Sequence, residues 1–175
     1  MIRIEFKLRS MVAPPTQGSK KSVPIYKGKG KSRKIIGSRI VDMHDEDLKW
    51  WRSAVAREAR RNYDGEPLGD PVYARLDVLY LMPRPKGHYG TGRNAGTVKR
   101  SARPCPTVVP DSLKMTRAIE DALKGVLYAD DCQVTKHAIE KKYWTEEHYE
   151  TRIAVEIFGA DRPLFQECAE SEERE

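Results

Sequence analysis

The sequence predicts an α+β fold in which a small mixed β-sheet is covered by two main helices. Segments that alternate apolar and polar residues occur at the start, middle and end of the chain, as is typical of strands. Two other segments repeat apolar residues every three or four positions, as amphipathic helices do. The order is strand, loop, helix, strand, loop, helix, strand and strand, without internal repeats. This order predicts one α+β domain, and 175 residues suffice for a buried core.

The first predicted strand spans residues 2–8, because the apolar residues at its even positions share one face. The two prolines at positions 14–15 end it. A Gly-, Lys- and Ser-rich stretch follows, and we expect residues 16–37 to form a basic loop. The segment SRIVD at residues 38–42 is either a short strand or a lead-in to the first helix.

The first helix is predicted over residues 45–63, DEDLKWWRSAVAREARRNY, with three acids in the first turn where they favour the helix dipole. Trp50 points away from the apolar stripe, which leaves three interpretations: a partly packed residue, a dimer contact or a DNA contact. The predicted buried stripe consists of Leu48, Trp51, Val55 and Ala59.

A strand over residues 72–82 precedes a long basic loop, residues 84–109, which lacks periodicity and is therefore functional or disordered. The second helix follows Pro110, with Asp111 or Ser112 as N-cap and Gly125 as terminator. Residues 132–144 and 150–158 predict the last two strands. The predicted apolar stripe of the second helix is Met115, Ala118, Ile119, Ala122, Leu123 and Val126.

Positive charge is concentrated in the two predicted basic loops, which contain no acid, whereas the tail over residues 160–175 is mostly acidic and expected to be disordered. With a net charge of +6, this distribution favours a polyanion such as nucleic acid as partner. Solvated surface loops are the alternative. The candidate DNA-binding residues are Lys20, Lys21, Lys27, Lys29, Lys31, Arg33, Lys34, Arg84, Lys86, Arg93, Lys99 and Arg100.

Composition argues against a membrane or a disulfide-stabilised protein. No apolar run approaches the ~20 residues of a membrane span, and the N-terminus lacks the pattern of a signal peptide. The three cysteines show no CxxC spacing and are expected to be reduced thiols. We therefore expect a cytoplasmic protein.

Carboxylates flank the second helix, with Asp111 before it and Asp130 and Asp131 after it. Two or three carboxylates suffice to hold Mg²⁺, provided that the fold brings them to one point. The structural alternative is that Asp111 is an N-cap, that Asp130 and Asp131 form a turn, and that Asp121 pairs with Arg117 along the helix. The residues alone leave both interpretations open.

Residues 110–134 resemble the RusA family of Holliday-junction resolvases. The family pattern is roughly P-D-x-D-N/K-L-x-K/R-A-x-x-D-A-L-x-G-x-x-Y-x-D-D-x-Q-V/I. A looser likeness covers residues 1–159, which we take as one RusA-like domain. The matching residues are Pro110, Asp111, Lys114, Arg117, Ala118, Asp121, Ala122, Leu123, Gly125, Tyr128, Asp130, Asp131, Gln133 and Val134.

The resemblance implies a Mg²⁺-dependent endonuclease, with Mn²⁺ as a substitute, that acts as a homodimer on four-way DNA junctions in a bacterial or phage-infected cell. By position, Asp111 and Asp131 would be catalytic metal ligands, with Asp130 as a possible third. Arg117 stands where the family often has a catalytically important lysine, and it keeps the charge but is a poorer proton donor. Leu113 departs from the pattern, because the family has an acid there.

The expected reaction is hydrolytic nicking of a DNA phosphodiester, as in recombination and repair. A cation on Asp111 and Asp131 would polarise the phosphoryl oxygen and activate a water, with Lys114 and Arg117 stabilising the developing charge. The alternative is a junction-binding protein with weak or lost catalysis, because Leu113 removes one ligand. The nuclease hypothesis requires that Asp111 and Asp131 lie close together.

Overall fold

The computed structural model describes residues 1–18, 20–28, 33–42, 45–69 and 72–159. The acidic tail over residues 160–175 lies outside the described residues. The strands are β1 (Ile2–Ser10), β2 (Lys20–Lys27), β3 (Lys34–Asp42), β4 (Tyr73–Pro83), β5 (Val134–Trp144) and β6 (Tyr149–Phe158), and the helices are α1 (Asp45–Asn62) and α2 (Ser112–Leu123).

Four strands form the main sheet in the order β1-β6-β4-β5. The pairs β1–β6 and β6–β4 are antiparallel, whereas β4 and β5 are parallel, so the sheet is mixed. Parallel neighbours need a long crossover, and α2 with its flanking segments supplies it between β4 and β5. The predicted α+β fold with two helices and a mixed sheet is confirmed.

Both helices pack side by side on one face of the main sheet, with α1 against β1 and α2 against β5. The core lies between the layers and contains the predicted stripes of both helices, all of them buried. Alternate residues of β4, from Ala74 to Tyr80, meet these stripes from the sheet. Burial raises the pKa of the Tyr80 hydroxyl, which shares a hydrogen bond of 3.0 Å with Thr116 Oγ1.

The prediction of a loop over residues 16–37 is wrong. Strands β2 and β3 form an antiparallel hairpin there, with a bulge between Ile25 and Tyr26. The alternation of Val23 and Ile25 suits a strand, but lysines and glycines around it obscured the pattern. The segment SRIVD proves to be part of β3.

The basic segment 84–109 is irregular, as expected, but it is folded on itself. It contains two single-turn 3-10 helices, Lys86–His88 and Gly92–Asn94. Backbone hydrogen bonds close it, including Gly90 N–H to Thr97 O at 2.9 Å and Lys99 N–H to His88 O at 2.9 Å. Neither α-helix of the described residues has the combination of length and apolar character that a membrane span requires.

Candidate functional site

Asp111 is the N-cap of α2. Its carboxylate accepts a hydrogen bond of 3.0 Å from Leu113 N–H, which satisfies one of the free donors of the first turn. The chain before the helix is held by Lys141 of β5, whose Nζ donates to the carbonyls of Val108 and Pro110 at 3.0 Å each. Asp111 is thus an exposed carboxylate on a fixed helix terminus.

A cavity of about 450 Å³ lies beside Asp111. Asp47, Asp111 and Lys114 line it together with Trp50, which is 54% exposed. Prolines 14, 15 and 110 complete much of its wall. The cavity therefore combines acidic, basic and aromatic groups at the N-terminal end of α2.

Asp130 and Asp131 lie at the other end of α2, beside its C-cap residue Lys124. The ammonium group of Lys124 contacts Asp130 Oδ2 at 2.7 Å and Asp131 Oδ1 at 3.3 Å. The hydrogen bond from Lys124 holds the pKa of Asp130 well below its usual range, with help from Cys132 N–H. Both acids in turn raise the pKa of Lys124. This end of the helix is a compact ion-pair cluster.

The connection from α2 to β5 is held by Gln133 and Tyr128. The amide nitrogen of Gln133 donates to the carbonyls of Leu68 at 3.2 Å and Val72 at 2.9 Å, and its Oε1 accepts from Asp130 N–H at 2.9 Å. Tyr128 is buried and its hydroxyl donates to Glu120 O at 3.1 Å. These two members of the sequence motif therefore have structural roles in positioning the acids.

Three contacts show that β5 runs antiparallel to α2: those of Lys124 with Asp131, Glu120 with His137, and Pro110 with Lys141. The 12 residues of α2 span about 18 Å at 1.5 Å per residue. From Val134 to Lys141 the strand covers roughly 23 Å at about 3.3 Å per residue. Asp111 therefore lies at one end of this helix–strand pair, and Asp130 and Asp131 lie at the other.

The predicted convergence of Asp111 with Asp131 is thus not met within one chain, because the chain turns back beside α2 without returning the second acids to its N-terminus. Within the described ranges, no three His, Cys, Asp or Glu side chains gather to hold a metal ion. Carboxylate oxygens are the ligands that Mg²⁺ prefers. A single chain nevertheless does not fit a magnesium site, although each end of α2 has part of the required donor set.

The exposed side of α2 between these ends is basic and polar. Lys114 and Arg117 are both exposed. The suggested pair of Asp121 with Arg117 is wrong, because Asp121 Oδ2 instead accepts from Arg52 of α1 at 2.8 Å and from Gln17 at 2.6 Å.

Both basic segments attach to the Asp111 end of the molecule. The segment 84–109 begins at the C-terminal ends of the parallel strands β4 and β5, where the Arg84 guanidinium lies 4.5 Å from the Tyr143 ring centroid. The β2–β3 hairpin starts just after Gln17, whose N–H donates to Lys114 O at 3.0 Å, and it leads into α1 near Asp47.

Most candidate DNA-binding residues are exposed on these two segments. Arg84 is partly buried by Tyr143, and Lys99 donates to Gly87 O at 3.0 Å. Lys29 and Lys31 lie outside the described residues. The exposed ones are Lys20, Lys21, Lys27, Arg33, Lys34, Lys86, Arg93, Lys99 and Arg100.

Sequence reasoning did not find the roles of Lys124, Lys141 and Asp47. Lys124 lies six and seven residues from its acids, which no helical spacing predicts. Lys141 meets Pro110 only through the crossover fold. Asp47 was interpreted only as a favourable charge in the first turn of α1. A lysine directly before the terminating Gly125 was the one available signal.

The family model for endodeoxyribonuclease RusA matches residues 23–157, which is most of the chain. The matched region contains α2 and the acids at both its ends. No curated protein matches the chain.

Proposed function

The chain belongs to the endodeoxyribonuclease RusA family, and from this premise we propose that it is a Mg²⁺-dependent homodimeric enzyme that resolves four-way DNA junctions by paired phosphodiester hydrolysis. The family acts on Holliday junctions, and its nucleases generally depend on a divalent metal. The observation that carries the proposal is the family match over α2, which has carboxylates at both ends and basic side chains between them.

The distribution of charge supports DNA as the substrate. Both basic segments attach at the end of the molecule where Asp111 lies, so bound phosphates would approach the N-terminus of α2. Contacts of this kind release counterions from DNA, and the affinity is expected to fall steeply as salt rises. Lys114 and Arg117 lie on the exposed side of α2, where they would neutralise charge on a phosphate.

The separation of the acids supports a dimer. If two copies pack with α2 antiparallel across a twofold axis, Asp111 of one copy lies beside Asp130 and Asp131 of the second copy. The same operation creates a second, equivalent cluster. Two such sites related by twofold symmetry suit paired cuts in a four-way junction, which has its own approximate twofold symmetry. A donor set that is incomplete in one chain is completed by its copy.

Subunit mixing tests this arrangement. Asp111→Asn and Asp131→Asn are each expected to abolish cleavage of a synthetic four-way junction with Mg²⁺ or Mn²⁺ at low salt. A mixed dimer of the two variants places both intact acids in one of its two shared sites, so mixing restores nicking of one strand. If each site lies within one chain, both sites of every mixed dimer remain defective and mixing restores nothing.

The control for mixing is a pair of Asp111→Asn preparations carrying different tags, which has no intact site in either arrangement. Wild-type protein that leaves junctions uncut under all these conditions contradicts the proposed function itself.

A second candidate function rests on Leu113, whose side chain is 69% exposed at the second residue of α2. The family pattern has an acid there, and its absence removes a possible ligand and one negative charge. The chain would then bind junctions but cut them slowly. Junction affinity that greatly exceeds duplex affinity, combined with very slow cleavage, would favour this candidate.

A further inference from the structure

The β2–β3 hairpin exposes several large apolar side chains, among them Ile25, Tyr26, Ile35, Ile36 and Ile40. Its strands pair with each other and have no substantial contact with the helices or the main sheet. Ile35 is 65% exposed and Ile36 is 61% exposed. An isolated hairpin in water is marginally stable, and exposed isoleucines carry a hydration cost. We therefore expect a binding partner to cover these isoleucine side chains.

The charge of the hairpin indicates which partner. Among its described residues there is one acid, Asp42, whose backbone lies opposite that of Lys20 in the strand register, at the base of the hairpin. The basic residues are Lys20, Lys21, Lys27, Arg33, Lys34 and Arg39. This surface complements a polyanion and would repel a basic protein surface.

The far end of the hairpin combines apolar, aromatic and cationic groups. Tyr26 and Ile35 are opposite each other across the two strands, next to the bulge that displaces Ile36. The Arg33 guanidinium lies 3.7 Å from the centroid of the Tyr26 ring. Lys27 and Lys34 form the adjoining pair. The stacked side chains of Tyr26 and Arg33 thus lie near two isoleucines. The cationic residues Lys27 and Lys34 border this group.

We propose that this end of the hairpin, formed by Tyr26, Arg33, Ile35 and Ile36, is a wedge that enters the branch point of a DNA junction and separates stacked bases there. Apolar side chains inserted between base steps unstack them, and aromatic and guanidinium planes stack on exposed bases. The flanking lysines would hold the phosphates on either side. The branch point is the favoured place, because its bases lack a continuous stack. This inference rests on the proposed function. In it, the hairpin is the part of the protein that selects branched over linear DNA.

The experiment uses a four-way junction carrying 2-aminopurine beside the branch point, since unstacking of this base raises its fluorescence. The variant is Ile35→Thr with Ile36→Thr, because threonine keeps the β-branched shape that favours a strand but has a hydroxyl in place of the ethyl branch of isoleucine. The matched control is Ile40→Thr, an exposed isoleucine of the same strand nearer the base of the hairpin. Linear duplex with the same base measures binding without a branch.

Wild-type protein and the Ile40→Thr control are expected to raise the fluorescence at the branch point. The double variant is expected to lose this rise and to bind the junction about tenfold more weakly, in line with stacking on one or two bases, while duplex affinity is unchanged. Unchanged duplex binding shows that the basic strands remain in place.

A double variant that still unstacks the branch-point base overturns the wedge, as does a wild-type protein that cuts junctions without any fluorescence rise. Loss of the dimer in the double variant, seen by analytical ultracentrifugation, would assign the hairpin to the subunit interface and also overturn it. Failure of the proposed function is a separate result, because it appears as wild-type protein that neither cuts nor prefers junctions.

Discussion

The two ends of α2 place the same chemical group in opposite settings. Asp111 at the N-terminus is an exposed cap beside a cavity and close to both basic segments, and its carboxylate accepts a hydrogen bond from Leu113 N–H. Asp130 and Asp131 at the C-terminus both contact the ammonium group of Lys124. One end is arranged to meet a substrate and the other to hold a local ion-pair cluster. Neither end is therefore a complete metal site, and each has part of one.

Replacing Asp111 is expected to have the largest effect. Asp111→Asn removes the charge but keeps a good N-cap, so the free energy of unfolding should change by less than about 1 kcal/mol. Cleavage should fall by about 100-fold or more, since even indirect loss of ligand support costs 10- to 100-fold. Junction cleavage and chemical denaturation of the same preparations measure the two quantities.

Asp64→Asn, at an exposed acid that follows α1, is the control for Asp111. A stable Asp111→Asn protein that cuts junctions as fast as wild type would show that the N-terminal end of α2 is not part of the site.

Adding an acid at the same end is expected to have the next largest effect. Leu113→Asp supplies a carboxylate near Asp111 and adds negative charge in the first turn, which also favours the helix dipole. Cleavage is expected to rise about tenfold without tighter junction binding. Single-turnover rates measure cleavage, and binding titrations measure junction affinity. Leu113→Asn, which has nearly the same shape without the charge, should leave the rate unchanged, and a rise with Asn would refute the ligand explanation.

Glu150 of β6 is a carboxylate outside α2 whose interactions serve stability, in contrast to the acids proposed to bind metal. Burial of Glu150 opposes its ionisation, but hydrogen bonds from Arg9 at 2.7 Å and Arg152 at 2.8 Å outweigh burial and lower its pKa. A lowered pKa in the folded state stabilises the fold above the unfolded pKa of about 4.3, and this stability is lost as pH falls through the folded value.

Glu150→Gln is therefore expected to cost about 1 kcal/mol at pH 7 and to flatten the decline of stability below about pH 5. Urea denaturation across this pH range measures both. Glu147→Gln, at an exposed acid of the β5–β6 turn, serves as control. If the free energy of unfolding declines in the same way with falling pH in both variants, Glu150 does not cause the loss of stability in acid. Junction cleavage at pH 7 should be unchanged in each variant.

The smallest effect is expected at the C-terminal end of α2. Lys124→Met frees Asp130 and Asp131 from an exposed ion pair, which solvent screens and which therefore contributes little to stability. With the competing ammonium group gone, Mn²⁺ should bind about two- to fivefold more tightly, as measured by calorimetry. Lys136→Met, which removes an exposed lysine of β5, controls for net charge. An equal change in Mn²⁺ affinity in both variants would mean that the affinity responds only to the net charge of the protein.

The sequence predicted the helices and the main sheet because their signals are local. The stripe from Met115 to Val126 repeats at helical spacing, and β1, β4 and β6 alternate clearly. The hairpin was missed because its strands pack on no core, so few apolar residues distinguish them from a loop. The separation of Asp111 from Asp131 was beyond any local pattern, since it depends on how β5 returns along α2. The partners of Asp121 likewise came from α1 and from Gln17, which are distant in sequence.

Lys141 donates hydrogen bonds to the carbonyls of Val108 and Pro110, just before Asp111. These bonds require a fixed number of residues in the first part of β5. The number of residues between Gln133, which fixes the start of β5, and Lys141 determines how far the strand reaches along the helix. Insertions or deletions within that interval would shift the lysine off its carbonyls and release the start of α2. Relatives of this chain are thus expected to vary in length in the hairpin and in residues 84–109, while the spacing from Gln133 to Lys141 stays constant.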